Sequence, residues 1–584
     1  MKKIYLMFLL LAAHLVSFSA PISQEQAYRI ALDFFARSAT RSAIQLDLVW
    51  NGETAMTRTG EEPALYVYNR TDAAGFVIVS GDEAATPILG YSHQHNFRSE
   101  AMPDNLRYWL EGVRSTILAA RASGVEANAS ATPKSATAVR LLETALWDQQ
   151  APYNGECPYL NGRGRTVTGC VATAAAIICK YYGWPTSVSG STAAYTTSTH
   201  GIYVPSRTLG TYDYSLMPLQ YTNYTAEQAN AVARLMADIG ALVKADYGVG
   251  GQGDGGTGAL TQNLLSAMQS TMRYSKSSTL IYRRSRTDAE WIAMLKAELD
   301  NGRPILYGGS GNSGGHQFIC DGYDTAGFFH YNWGWSGSAN GYYNVDILKP
   351  ADTGYAFAQS QDAVFGLSPD PDGTSTYVDC LETGTSSNSN FVGVRTNATK
   401  FAQGVSFYVS MPLYNVGTIA YTGSFAIAHF AQDGTQKGII SSTHDWNEVE
   451  PNNGFLYSSI ACKLSNTIEE GDYVAAVFLE RSTNSWQVVR SFDSAPWQIL
   501  LKATPATIAQ GLHIIYSKIG NTLSFDAPMA IQYTVTRVDS GATVTSGEVA
   551  SYTKVGIDCS SYTAGEYRIS FALGGRPYDL IIEF

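Results

Sequence analysis

Cys170 stands where the glycine-rich loop Gly162 to Gly169 runs into an almost wholly apolar stretch, Val171 to Tyr182. That stretch predicts a buried helix, with Gly183 marking its end and Pro185 just beyond. A thiol in the first turn of such a helix meets the dipole's positive end and N–H groups without helical partners. Both favour the thiolate, the nucleophilic form. The same amides can receive an oxyanion, so the chemistry implied is acyl transfer through a thioester. A cysteine taken without context is more often a small buried apolar residue, and Cys179 is assigned that role.

A nucleophilic thiol needs a base. Of the nine histidines, His200, His316 and His330 lie near enough in sequence to share a domain with Cys170. His316 follows the Gly308 to Gly315 run, at the mouth of a strand behind a loop where a substrate backbone could approach closely. His330 lies inside the strand-like Phe328 to Asn332 and reads as a packed or hydrogen-bonded core histidine. His200 has no motif around it. Asn332 comes sixteen residues after His316, followed by Trp333, Gly334 and Trp335. Two strands joined at Asp324 to Gly327 would return Asn332 toward His316, where an Asn can accept from the imidazole N–H while a Trp shields that bond. The register is left open, because a one-residue slip moves a side chain to the other face. The two tryptophans can also be read as plain core.

Capping signatures give the elements that must hold these residues. Ser23 with Gln26, Thr225 with Gln228 and Thr287 with Glu290 open helices, the last two running to Lys244 and Leu299. Leu106, Trp109, Leu110, Val113, Ile117 and Leu118 give another amphipathic helix. Strands are expected at Ala64–Tyr68, Phe76–Val79, Ile305–Gly308, Gln317–Tyr323, Phe328–Trp333 and near Gly341–Val345. Helices first and strands later argue for α+β. Beyond Pro369 the pattern is short alternating strands separated by turn residues, including Phe407–Tyr414, Phe425–Phe430 and Tyr473–Phe478.

The 584 residues call for several domains. Lys2, Lys3 and the apolar run Ile4 to Val16 have the layout of a secretory signal, residues 1–19, cut after Ser19 because Pro21 disfavours a cut after Ala20. Residues 20–137 form a small α+β domain ending in a small-residue linker, and 138–369 a second, α+β domain. Residues 370–501 form a β-sandwich and 502–584 a smaller β unit. No later run is long and apolar enough to span a bilayer. A net charge of −11, from 39 basic and 50 acidic side chains without a basic run, speaks against nucleic acid as a partner. Seven cysteines are an odd number, without a C-x-x-C pair to suggest zinc. No metal or organic cofactor is expected.

The stretches Trp147 to Asn154, Thr168 to Ala174, Gly314 to Phe318, Asp321-Gly322 and Tyr331 to Trp335 closely resemble the streptopain family of papain-like cysteine peptidases. The segment Gly75 to Asp82 is similar to that family's propeptide. The resemblance implies a papain-like catalytic domain, with Cys170 and His316 as the dyad and Gln149 as an oxyanion donor. Asn332 and Trp333 would be the supporting pair. It further implies a secreted endopeptidase acting on protein and peptide substrates, inhibited by its own propeptide until cut near Lys134 or Arg140. The C-terminal β domains lie outside streptopain itself. The last is loosely similar to sorting domains of bacteroidete secreted proteins without their usual basic ending. These domains are expected to bind a surface, sorting machinery or a glycan, on a protein released or held in the periplasm or at the surface of a Gram-negative cell. Two rival readings are a Cys-His acyltransferase, which usually orients its His with an Asp, and an adhesin on an inert scaffold.

Overall fold

The computed structural model describes residues 20–36, 44–51, 62–100, 102, 104–122, 137–250, 256–311, 314–345, 361–386, 391–398, 401, 403–469, 471–493, 495–501, 517–519, 522–525, 531–550, 555–573 and 576–583. The expected signal segment and the linker from 123 to 136, with Lys134, lie outside these. Two compact units emerge, one of residues 1–146 and 318–357, the other of 147–317 and 358–584.

In the first unit, α1 (Gln24–Phe35) opens with a capping box. Ser23 Oγ accepts from Gln26 N, and Gln26 Oε1 accepts from Ser23 N at 2.9 Å. Its apolar face, Ala27, Ala31, Phe34 and Phe35, is buried against Tyr66, Tyr68, Val77, Val79 and Ile88. Those residues come from an antiparallel meander, Leu46–Trp50, Leu65–Arg70, Phe76–Ser80 and Ile88–Ser92. The meander does not close on itself. Ile88–Ser92 pairs with Gly341–Tyr343, Tyr91 opposite Tyr342 and Gly90 opposite Tyr343. Gly90 is required there, because a Cβ would lie 2.8 Å from the Tyr343 ring. Phe329–Asn332 continues the sheet beyond Gly341–Tyr343, followed by Gly314–Asp324. The N-terminal strands and these later strands thus belong to one sheet.

Side chains reinforce the junction. α2 (Asp104–Ala122) sets Trp109 edge-on to Tyr343, ring centroids 4.9 Å apart, and Tyr91 stacks on Tyr342 at 5.2 Å. The Tyr91 hydroxyl donates to Asp324 Oδ2 at 2.5 Å. Asp324 Oδ1 meanwhile accepts from Ala326 N and Phe328 N, each at 2.8 Å, forming the turn expected there. His95 lies against Gly337. After the linker, Ala138–Leu141 pairs with Gly322 to Asp324.

The second unit is built on α3 (Cys170–Tyr182), packed by α4 (Ala226–Leu242) and α5 (Thr261–Ser270). With α6 (Asp288–Asp300) come the antiparallel strands Ile305–Gly311, Gln361–Phe365 and Thr279–Tyr282. The capping boxes at Thr225 and Thr287 form as expected. The Gly308 region is more regular than expected: strands occupy Ile305–Gly311 and Gly314–Asp324, where a loop from Gly308 to His316 was anticipated. Glycine accommodates the extended backbone, and Gly308 leaves room for Asp362, whose Oδ1 a Cβ would approach to 2.6 Å.

Farther along, a five-stranded and a six-stranded sheet share one core. Val409, Met411 and Leu413 of one face Phe425, Ile427 and Val474 of the other. This is a β-sandwich. It is joined to the preceding helices by Gln262 Nε2 donating to Gly417 O at 3.0 Å and Thr418 Oγ1 donating to Gln269 Oε1 at 2.6 Å. A three-stranded and a four-stranded antiparallel sheet complete the described chain. The fold class is α+β followed by all-β domains. Among the described residues no helix is long and apolar enough to cross a membrane.

The junction of the first unit should respond to pH. Burial, then the neighbouring His330 ring, hold His95 below the ordinary histidine value. The unfolded chain therefore takes up a proton more readily, and this contribution is present above about pH 6.5 and lost as pH falls below it. His95→Asn should melt progressively higher relative to wild type as pH is lowered from 7.5 to 5. A gap in thermal midpoints that stays constant with pH would contradict this.

Candidate active site

Gly169 is the N-cap of α3, at φ 84° and ψ 153°. No side chain caps the helix from that position, so the first-turn amides are not consumed by a capping oxygen. Every residue from Val171 to Cys179 is buried, whereas Cys170 is partly exposed at the helix start. The far end closes at Gly183, φ 59°, whose N–H reaches the carbonyls of Cys179 and Lys180, the stop expected from the sequence. Burial pushes the thiols of Cys157, Cys179 and Cys462 up to about 12 and that of Cys320 well above its ordinary value. None of the seven cysteines is in a disulfide. Cys179 thus has the inert, buried role assigned to it.

The loop ahead of Cys170 is pinned from two sides. Thr257 Oγ1 donates to Val167 O at 2.7 Å and accepts from Gly248 N at 3.0 Å, while Val167 N donates to Gly248 O at 3.0 Å. The Thr257 backbone comes so close that a Cβ on Gly169 would meet its carbonyl oxygen at 2.7 Å. From the other side, Thr168 N donates to Gln149 O at 3.1 Å. This bond ties the Gln149 loop to a residue two before Cys170. Gln149 is itself buried, its N–H donating to Asp148 Oδ1 at 2.6 Å. Trp147, fully buried, anchors the loop by donating from Nε1 to Pro218 O at 2.9 Å.

His316 is partly exposed on the strand Gly314–Asp324. The next residue, Gln317, is buried and accepts at Oε1 from Thr261 Oγ1, 2.6 Å, which ties this strand to the start of α5.

Asn332 and Trp333 fall in the first unit. Ile319 is opposite Asn332, with a bulge between Cys320 and Gly322. Asn332 is wholly buried, donating from Nδ2 to Thr144 Oγ1 and Ala145 O, each at 2.9 Å, and accepting at Oδ1 from Gly334 N at 3.1 Å. Trp333 sits among Phe318, Tyr331 and Tyr343, with centroids 4.6, 5.5 and 5.1 Å away. Its Nε1 donates to Ala339 O at 3.1 Å. Trp335 is the more exposed of the two tryptophans. His330 is the bonded core histidine expected, its Nδ1 2.5 Å from Asp321 Oδ1. Sequence reasoning missed Thr144 and Thr257, and no local pattern marks either.

Among the described residues no group of three or more His, Cys, Asp and Glu could hold a metal ion. The arrangement is one for covalent chemistry at sulfur: a partly exposed thiol at an uncapped helix start, with an amide-bearing loop tied beside it. These are the features expected of a thiol peptidase.

The chain belongs to the peptidase C10 family, whose pattern matches residues 147–343, and a Spi protease inhibitor pattern matches residues 19–117 ahead of it. A thiol protease/hemagglutinin of Porphyromonas gingivalis is 32% identical over 397 residues, 63% of this chain and 44% of that protein. The match thus spans less than half the length of that relative. Streptopain of Streptococcus pyogenes is 31% identical over 382 residues, 59% of this chain and 92% of that one. A solved fragment of prointerpain A from Prevotella intermedia is 32% identical, covering 56% of this chain and 100% of that one with a TM-score of 0.46. The segment matched by the inhibitor pattern includes the meander that joins the sheet through Gly341–Tyr343.

Gly169 tests the pinned loop. Any other residue would be strained at φ 84° and ψ 153°, at a cost of about 1–3 kcal/mol, in addition to the clash with Thr257. Gly169→Ala should lower the thermal midpoint and slow alkylation of Cys170 by iodoacetamide at neutral pH. Wild-type values of both would show that the loop has slack.

Proposed function

We infer that this chain is an exported cysteine endopeptidase, made as a self-processing zymogen. The reading rests above all on Cys170 at the uncapped, partly exposed start of an otherwise buried helix. The Cys170 thiolate attacks the substrate carbonyl carbon, and the Cys170 N–H and the Gln149 side chain donate to the oxyanion. His316 protonates the leaving amine, then takes a proton from the water that hydrolyses the thioester. We assign Asn332 and Trp333 the supporting role that the resemblance to the family implies. The residue 1–19 segment directs export to the periplasm, cell surface or medium.

The N-terminal domain restrains the enzyme until the linker is cut near Lys134 or Arg140. The C-terminal β domains bind a surface, a glycan or sorting machinery. Protein and peptide chains are the substrates, in keeping with the family to which the chain belongs.

The deciding experiment follows intact mass and casein hydrolysis for wild type and Cys170→Ala, each also cut in the linker by an added protease. Wild type should shed its N-terminal domain and degrade casein. Cys170→Ala should stay intact and, once cut, be slower by at least about a thousandfold. Equal activity in the two, or none in either after cutting, would sink the reading. With the oxyanion donor removed, Gln149→Ala should lose about 10²–10³-fold in kcat; an unchanged kcat would remove Gln149 from the mechanism.

A further inference from the structure

The loop that carries Gln149 is also the root of an aromatic stack that reaches the surface. Trp147, ahead of Gln149, is fully buried, and Tyr153, beyond it, is 2% exposed. Both rings lie on Tyr221, with centroids 6.3 and 5.1 Å away, and Tyr224 packs on Tyr221 at 5.4 Å. At the top of the stack Tyr224 is 44% exposed, and Leu219 is 38% exposed. The stack is held at several points. Tyr221 donates its hydroxyl proton to Gln228 O at 3.0 Å, in the first turn of α4, and Trp147 Nε1 donates to the carbonyl of Pro218, just before Leu219. Two bonds tie its root to the segment ahead of Cys170: Thr168 N donates to Gln149 O at 3.1 Å and Asn154 Nδ2 to Thr166 O at 3.0 Å.

We propose that Tyr224 and Leu219, propped on the Tyr221 ring, form a specificity-determining ledge that seats a large apolar or aromatic side chain of the peptide substrate. Exposed apolar residues scattered singly need no explanation. These two differ because both rest on the loop assigned the oxyanion-donor role, so a chain held at Gln149 passes beside them. The rings between Gln149 and Tyr224 are spanned by about four residues of extended chain, at about 3.3–3.6 Å each, which sets how far from the scissile bond the seated side chain lies. A tyrosine already fixed by the ring beneath it loses little freedom when a partner covers its open face, and such rigid aromatic surface is what peptide-binding sites favour. Leu or Phe on the ledge removes apolar area from water on both partners. Glycine offers no side chain to bury, and a carboxylate would lose hydration against apolar faces.

This inference rests on the peptidase reading above, and the experiment keeps the two apart. Linker-cut wild type, Tyr224→Ala and Tyr224→Phe are assayed on internally quenched peptides carrying Phe, Leu or Gly at each position within about four residues of one cleaved bond, on either side. The quantity read is the ratio of kcat/KM for the Phe or Leu peptide to that for its Gly counterpart. At one position wild type should favour Phe or Leu at least about tenfold, Tyr224→Ala should lower that ratio at least about threefold, and Tyr224→Phe should keep it within about twofold. A smaller wild-type preference at every position overturns the ledge. So does a ratio that Tyr224→Ala leaves in place, as when all peptides lose alike, or a Tyr224→Phe ratio that falls as far as that of Ala. Where Tyr224→Ala does not fold, Leu219→Ser is read by the same ratio with the same outcomes. Wild type that cleaves none of the peptides strikes instead at the peptidase reading itself.

Discussion

A helix buried along its length meets solvent only at its ends, and that constraint organises the second unit. From Val171 to Cys179 every side chain of α3 is packed. The chemistry of this helix is therefore confined to its first turn. There the usual Ser, Thr, Asp or Asn cap would bond to the first-turn amides with its own oxygen. Gly169 offers no such oxygen and takes a backbone conformation that a larger residue could not share with Thr257. The hydrogen bonds from Thr257 and to Gln149 O then supply the rigidity that a cap would have given.

The first unit works by backbone rather than by side chains. Ile88–Ser92 joins Gly341–Tyr343 through main-chain pairing, which demands glycine at Gly90 and at Gly341, where a Cβ would lie 2.4 Å from Tyr91 O. Specificity comes from the aromatic contacts of Trp109 and Tyr91 and from the Tyr91 hydroxyl on Asp324. Asp324 also forms the turn between the strands that carry Asp321 and Asn332. The same carboxyl group therefore shapes a catalytic-segment turn and receives the N-terminal domain.

Much of this was legible in the sequence, for local reasons. The three capping boxes, the helix stop at Gly183 and the turn at Asp324 depend on residues within a few positions of each other, and local pattern reports such contacts faithfully. α5 escaped because Leu260 at its N-cap makes no side-chain bond and nothing announces its start. The Gly308 stretch looked like a loop because glycine is as compatible with a close-packed strand as with a turn. Thr144 could not have been found: its bond to Asn332 joins residues 188 positions apart. The register between Ile319 and Asn332 was equally out of reach, since it turns on a bulge at Cys320 to Gly322 that no composition marks.

The pairing of Ile88–Ser92 with Gly341–Tyr343 also determines what removal of the N-terminal domain uncovers. Gly341–Tyr343 would become an edge strand, with unpaired amides and carbonyls of the kind that template association between copies. Its length is the safeguard. With three residues and a glycine at one end, the edge is too short to recruit a stranger's strand and hold it, so a mature enzyme can stand without its first partner and still resist sticking to itself.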